Sequence, residues 1–194
     1  EAQNSCHTWP HAVEFPIRQY GEALNPASIL DVGAGLGQYG FLFRTNLENI
    51  GLFEINGAQG RWRTKAEWRV RIDGIEGCGQ YLNPVHEFAY NNMTVGDALA
   101  CLEKIADGAY EFVIAIDILE HFFKPDGGRF LAQLRRVCSR AALVSTPKEF
   151  HAQEFEANPY ETHRSVWSCD ELAQAGNARI LDNQESWIAV CERQ

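Results

Sequence analysis

Asp117, Glu120 and His121 stand in the stretch "DILEH" at positions i, i+3 and i+4, so a helical turn following Asp117 would place all three side chains on one side. Carboxylates beside an imidazole can take up or deliver a proton near neutral pH. A further histidine, His163 in "ETHRSVW", is available to the same chemistry. The plain alternative is that Glu120 caps or salt-links its loop and His121 packs against Phe122 and Phe123. A second group of residues suits binding. In "ILDVGAGLGQYGFLFR", residues 29 to 44, an apolar run ends in Asp31 and is followed by Gly33, Gly35 and Gly37 at every second position. Glycine lets a chain bend with positive φ and lets a ligand touch the main chain where a Cβ would intrude. A helix starting there offers unpaired N–H groups to an anion.

These residues need a scaffold, and apolar strands alternate with amphipathic helices along the chain. Strands are expected at 28–32, 69–76, 92–95, 110–117 and 141–146, with helices from about Gln38, near 80–90, near 97–106 and over 126–139. "YEFVIAID" (110–117) is unbroken in its apolarity and suits a strand buried on both faces. Ser168 and Glu171 form a capping box that opens a short helix, and the tail reads as two strands joined by a turn at 183–185. The expected fold is α/β: a Rossmann-like, seven-stranded, mostly parallel sheet with a terminal antiparallel hairpin and helices on both faces. We expect one domain over residues 1–194, comprising an N-terminal helical segment (1–26), an insertion (46–67) and a substrate-side loop (147–168). His7 and His11 fall on the leading helix, while Phe112 and Trp187 read as core.

In open α/β sheets, ligands sit beyond the carboxyl ends of the strands. Four acids occupy successive strand ends here: Asp31, Glu76, Asp97 and Asp117. A carboxylate such as Glu76 can accept from two adjacent ribose hydroxyls, and Asp97 can receive an exocyclic amine. This ring suits a cationic ligand better than a pyrophosphate.

Composition bounds the alternatives. The 194 residues carry a formal net charge of −9, which disfavours broad binding to nucleic acid or anionic membrane. No apolar run approaches the roughly 20 residues of a membrane helix. The opening residues lack the pattern of a secretion signal. The six cysteines include no C-x-x-C pair, and a reduced, cytoplasmic setting is expected. One local exception is "GRWRTKAEWRVR" (60–71), which holds five of the seventeen basic residues with Trp62 and Trp68. It reads either as a solvated strand edge with packed indoles or as a patch for an anionic substrate.

With these residues in view, the chain resembles the class I S-adenosylmethionine-dependent methyltransferases over its whole length. Leu30, Asp31, Gly33, Gly35 and Gly37 match the family's "hhDxGxGxG" signature; Glu76 corresponds to the ribose acid, Asp97 and Ala98 to the adenine-side "GDA", and "DILEH" to the motif after the fourth strand. The resemblance implies that S-adenosylmethionine is the cofactor. Gly33, Ala34, Gly35 and Gly37 would lie at its methionine end, Glu76 at the ribose and Asp97 with Ala98 at the adenine, with Asp31 and Asp117 also among the cofactor-binding residues. The separation of the glycine turn from Glu76 exceeds the family's usual gap, which is why 46–67 reads as an insertion, either a substrate wall or a surface loop.

"DILEH" is also similar to the E-x-x-E-H of methyltransferases acting on small-RNA ends and on ubiquinone precursors. That likeness implies a divalent metal held by Asp117, Glu120, His121 and His163, with Asp117 in place of a longer Glu. Oxygen and imidazole ligands suit Mg²⁺, Mn²⁺ or Zn²⁺ without choosing among them. The expectation is a methyltransferase for a small polar acceptor, oxygen slightly favoured over nitrogen, with His121, His163 and Asp117 as catalytic residues. A catalytically silent binding protein on the same fold is the principal alternative, since fold does not confer activity. An RNA methyltransferase and an NAD(P)-dependent oxidoreductase stand further back. Gly35, Gly37 and Gly40 do satisfy G-x-G-x-x-G, but the acid expected about 20 residues beyond is absent. The sequence leaves the oligomeric state open.

Overall fold

The computed structural model describes residues 10–154, 156–176, 178–181 and 183–193. His7 and the side chain of His11 lie outside what is described. In chain order the elements are α1 (Pro10–Leu24), β1 (Ser28–Val32), α2 (Gln38–Glu48), β2 (Phe53–Asn56), β3 (Gln59–Trp62), β4 (Arg71–Glu76), α3 (Pro84–Ala89) and β5 (Asn92–Val95). They continue with α4 (Ala98–Leu102), β6 (Tyr110–Ile116), α5 (Lys124–Val137), β7 (Cys138–Pro147), α6 (Cys169–Gly176), β8 (Arg179–Leu181) and β9 (Ser186–Glu192). Seven strands form one sheet in the order β5-β4-β1-β6-β7-β9-β8, parallel except for the antiparallel pairs of β9 with β7 and with β8. This is the expected architecture.

Strand β6 is buried along both faces, as its uninterrupted apolar run requires. Phe112 and Ile114 face one core with Ile17 of α1, Phe43 of α2 and Ala89 of α3. Val113 and Ala115 face the other, with Leu99 of α4, Phe130 of α5 and Leu172 of α6. The helices therefore divide by sequence half between the two faces of the sheet. Phe112 is core as expected, and Trp187 packs against the second cluster while partly buried.

Where boundaries differ from expectation, a local cause is visible. Pro84 lacks an N–H and opens α3, so residues 79–81 form a separate 3₁₀ turn instead of its first turn. Asn83 and His86 close a reciprocal cap there, with Asn83 Oδ1 accepting from Val85 N–H and His86 Nδ1 from Asn83 N–H. Helix α4 ends in short turn bonds, Lys104 N–H to the Cys101 carbonyl and Ile105 N–H to the Leu102 carbonyl, and the carbonyls of Leu102 and Ile105 also accept from the Arg136 guanidinium at 2.8 and 2.7 Å. The Ser168–Glu171 capping box forms at the start of α6.

The insertion folds as a hairpin of β2 and β3, separate from the main sheet. Trp62 meets Phe53 across the hairpin and Phe88 of α3, so this unit lies against the outer face of the first helix layer. Behind it, Arg44 of α2 is fully buried and joins three segments. Its guanidinium donates to the carbonyls of Ala89 and Val70 and to Asn91 Oδ1, pairs with Glu48 at 3.3 Å, and stacks on Trp68 at 3.8 Å. Most of the basic cluster at 60–71 is engaged locally: Arg61 by Glu54 and Glu67, Lys65 by the Tyr90 carbonyl, Arg69 by the Leu47 carbonyl and Arg71 by Asp73. Trp68 is a packed indole, whereas Trp62 is 63% exposed. Among the described residues, no helix is long and apolar enough to cross a membrane.

Candidate active site

The run from β1 to α2 adopts positive φ at Gly33 (+77°), Gly35 (+55°) and Gly37 (+88°). The protein's own packing explains two of the three. A Cβ at Gly33 would fall 2.8 Å from Ile118, and one at Gly37 would fall 3.2 Å from Val85 and 3.3 Å from His86. At Gly35 it would meet nothing nearer than the Gly33 carbonyl at 4.0 Å, so this flank of the turn is open to a ligand. The turn is anchored to β4 by Gly33 N–H and Ala34 N–H, which both donate to the Ile75 carbonyl.

All four strand-end acids are already bonded to the chain. Glu76, 6% exposed, accepts from Gly35 N–H at 2.8 Å and Cys78 N–H at 2.7 Å. Its burial raises its pKa, and these two N–H bonds oppose the rise. Asp97 is exposed and caps α4 by accepting from Ala100 N–H, with Ala98 buried beside it. Asp31 accepts from the Tyr90 hydroxyl at 2.6 Å, and that hydroxyl in turn accepts from Gly40 N–H. Tyr90 and His86, neither marked out in the sequence, thus brace the glycine turn from α3 and the residue that follows it.

Burial pushes the Asp31 carboxyl up to about 7 from an ordinary 3.8, against the Tyr90 bond and with help from the Glu76 charge. Between those two values the native carboxyl keeps a proton that the unfolded chain has lost, so stability falls as pH rises through the window. Asn at this position can still accept from Tyr90 and has no proton to lose. Asp31→Asn should therefore flatten the decline in urea midpoint between pH 4 and pH 7 relative to wild type. Parallel curves for the two proteins would refute the assignment.

Ile118, which fills the space beside Gly33, leads directly into the second group. Residues Leu119–His121 form a 3₁₀ turn, and Asp117 sits before it at φ +50°. In this geometry Asp117 is held by Ser145, whose hydroxyl donates to Oδ1 at 3.2 Å and whose carbonyl accepts from Asp117 N–H. Glu120, His121 and His163 each offer one donor atom within 4.8 Å of the others, and Asp117 is not part of this trio. The structure thus brings together three of the four residues expected to share the site. Glu120 is 4% exposed and accepts from the Thr146 hydroxyl at 3.0 Å. Burial and then the Asp117 charge hold its carboxyl well above the ordinary range.

His121 Nδ1 lies 3.2 Å from the Thr162 carbonyl and His163 Nδ1 lies 2.6 Å from the His151 carbonyl. A carbonyl only accepts, so each Nδ1 carries a proton, and the neutral form of either ring has its lone pair on Nε2. Burial lowers the His121 pKa, which keeps that imidazole neutral at pH 7. The segment that supplies His163 also reaches the residues following β4. A Cβ at Gly77 would fall 2.9 Å from the Tyr160 ring, and Tyr81 donates to Glu161 at 3.0 Å.

No protein-family model matches the sequence, and no curated protein matches it either. Solved structures do. A SAM-dependent methyltransferase from Archaeoglobus fulgidus aligns over 94% of this chain and 94% of its own, with a TM-score of 0.63 at 13% identity. The 1,6-didemethyltoxoflavin-N1-methyltransferase of Burkholderia thailandensis, with bound 1,6-didemethyltoxoflavin and S-adenosylhomocysteine, aligns over 96% of this chain and 80% of its own (TM-score 0.63, 15% identity). The methyltransferase domain of a bacterial CtHen1 protein aligns over 92% and 96% (TM-score 0.57, 17% identity). The fold of this chain is the Rossmann-like fold of S-adenosylmethionine-dependent methyltransferases.

Proposed function

We propose that this protein transfers the methyl group of S-adenosylmethionine to a small polar acceptor, with oxygen favoured over nitrogen. One observation supports the reading: Ile118, which packs against Gly33 of the glycine turn, is followed directly by the 3₁₀ turn that carries Glu120 and His121, and these two gather with His163. The open flank of Gly35 lets a ligand approach the main chain, and Glu76 and Asp97 provide acceptors for ribose hydroxyls and an adenine amine. Methyl transfer is an in-line displacement, so the protein's task is to align the acceptor and exclude water. A hydroxyl acceptor must also lose its proton, and the lone pair on Nε2 of His121 or His163 can receive it.

The same trio supports a divalent metal as a second reading. Two imidazole nitrogens and a carboxylate would hold the ion, with Asp117 joining if it turned away from Ser145. Such an ion would polarise the acceptor oxygen. Incubation with methyl-labelled cofactor and a panel of hydroxyl and amine metabolites, with and without a chelator, tests both readings. Label transferred to a hydroxyl supports the main proposal, and loss of transfer on chelation supports the metal. Cofactor binding without transfer to any acceptor would favour the silent binding protein. Retention of RNA that weakens with added salt would revive the RNA reading.

A further inference from the structure

Arg164 has no place in the chemistry above, yet its bonds converge on it. Its Nη1 donates to the His121 carbonyl at 2.7 Å and to the Thr162 carbonyl at 3.3 Å, and its Nη2 donates to the Pro159 carbonyl at 3.0 Å. Its backbone N–H and that of Ser165 both donate to the Glu120 carbonyl, at 2.8 and 3.0 Å. The Thr162 carbonyl is the acceptor that fixes the proton on Nδ1 of His121. One side chain therefore grips the main chain of the 119–121 turn, the acceptor that sets the His121 tautomer, and Pro159 within the loop that delivers His163.

We propose that Arg164 is the positioning residue that holds the loop of His163 against the turn of Glu120 and His121 and so fixes His121 as the Nδ1–H tautomer with its Nε2 lone pair free. The inference rests on the proposed role of these histidines but makes a claim about their geometry that stands apart from turnover. Geometry alone argues for the planar fork. Three carbonyls in two segments are reached from two nitrogens of one guanidinium, which an ammonium on a flexible stem cannot reproduce. Arg164 bonds to neither Glu76 nor Asp97, which keep their own partners in Gly35, Cys78 and Ala100, so cofactor binding should respond less than the histidine geometry, although Pro159 leads into Tyr160, which packs on Gly77.

The test uses Arg164→Lys and Arg164→Ala in the full chain, with three readouts: imidazole ¹⁵N spectra, visible-absorption titration with Co²⁺ alone, and calorimetric titration with S-adenosylhomocysteine. Wild type should show His121 as a single Nδ1–H tautomer. Both variants should show a mixture, with Co²⁺ affinity reduced about 10–100-fold, the range typical of outer-shell partners of metal ligands. S-adenosylhomocysteine affinity should fall less than Co²⁺ affinity does, because Glu76 and Asp97 keep their own backbone partners. An unchanged tautomer in Arg164→Ala would overturn the proposal. So would parallel loss of tautomer, S-adenosylhomocysteine binding and thermal stability in both variants, which would make Arg164 a general strut. If wild type itself gives no Co²⁺ spectrum, the metal reading fails while the ¹⁵N result still decides the role of Arg164.

Discussion

Replacing His121 by Ala should lower methyl transfer by about 10²–10⁴-fold, the usual contribution of a positioned proton acceptor, while S-adenosylhomocysteine affinity stays near that of wild type. The separation of effects follows from the site's layout. His121 sits on the turn after β6, held by Thr162 and with its ring tilted against that of His163 at 4.9 Å between centroids, whereas the acids proposed for the ribose and the adenine stand at the end of β4 and after β5. Its lowered pKa keeps it ready to accept a proton at neutral pH; on acidification it is protonated, so the rate should fall with pH on the acid side. Equal loss of transfer and cofactor affinity would show that His121 serves the fold instead.

The second large effect concerns stability. Arg44→Met removes the buried cation that serves Ala89, Val70, Asn91 and Glu48 at once, and leaves Glu48 as a buried carboxylate without its partner. Burial lowers the Arg44 pKa only to about 10, so the guanidinium is charged at neutral pH. Breaking one half of such a pair costs about 3–5 kcal/mol. Urea unfolding should show a loss of that size, and adding Glu48→Gln should recover part of it, because the two residues interact directly. A change below about 1 kcal/mol, the scale of an exposed pair, would mean that Arg44 is more hydrated than the packing indicates.

Much of the scaffold is legible because local chemistry determines it. "SILDV" and "NMTV" become strands over the expected residues, and the apolar run of β6 becomes the doubly buried strand. The glycines of the turn and the acids at strand ends are legible for the same reason, since each position follows from its own strand's end. The hairpin of β2 and β3 has a signal that reading 46–67 as a plain insertion passes over: Asn56-Gly57 between alternating runs, with Gly57 at φ +64°. What stays hidden depends on distant partners. Tyr90 finds Asp31 across 59 positions, and the Arg164 side chain finds His121 across 43. The positive φ of Asp117 is likewise hidden: it turns that acid toward Ser145, so the i, i+3, i+4 spacing does not yield one shared face.

Calorimetric titration of ligand-stripped protein with S-adenosylmethionine and S-adenosylhomocysteine, with NADH in parallel, addresses the central claim most directly. Saturable one-to-one binding of both adenosyl compounds, weakened by Glu76→Ala and absent for NADH, is the predicted result. Silence toward both, with NADH filling the site, would contradict the account at its foundation.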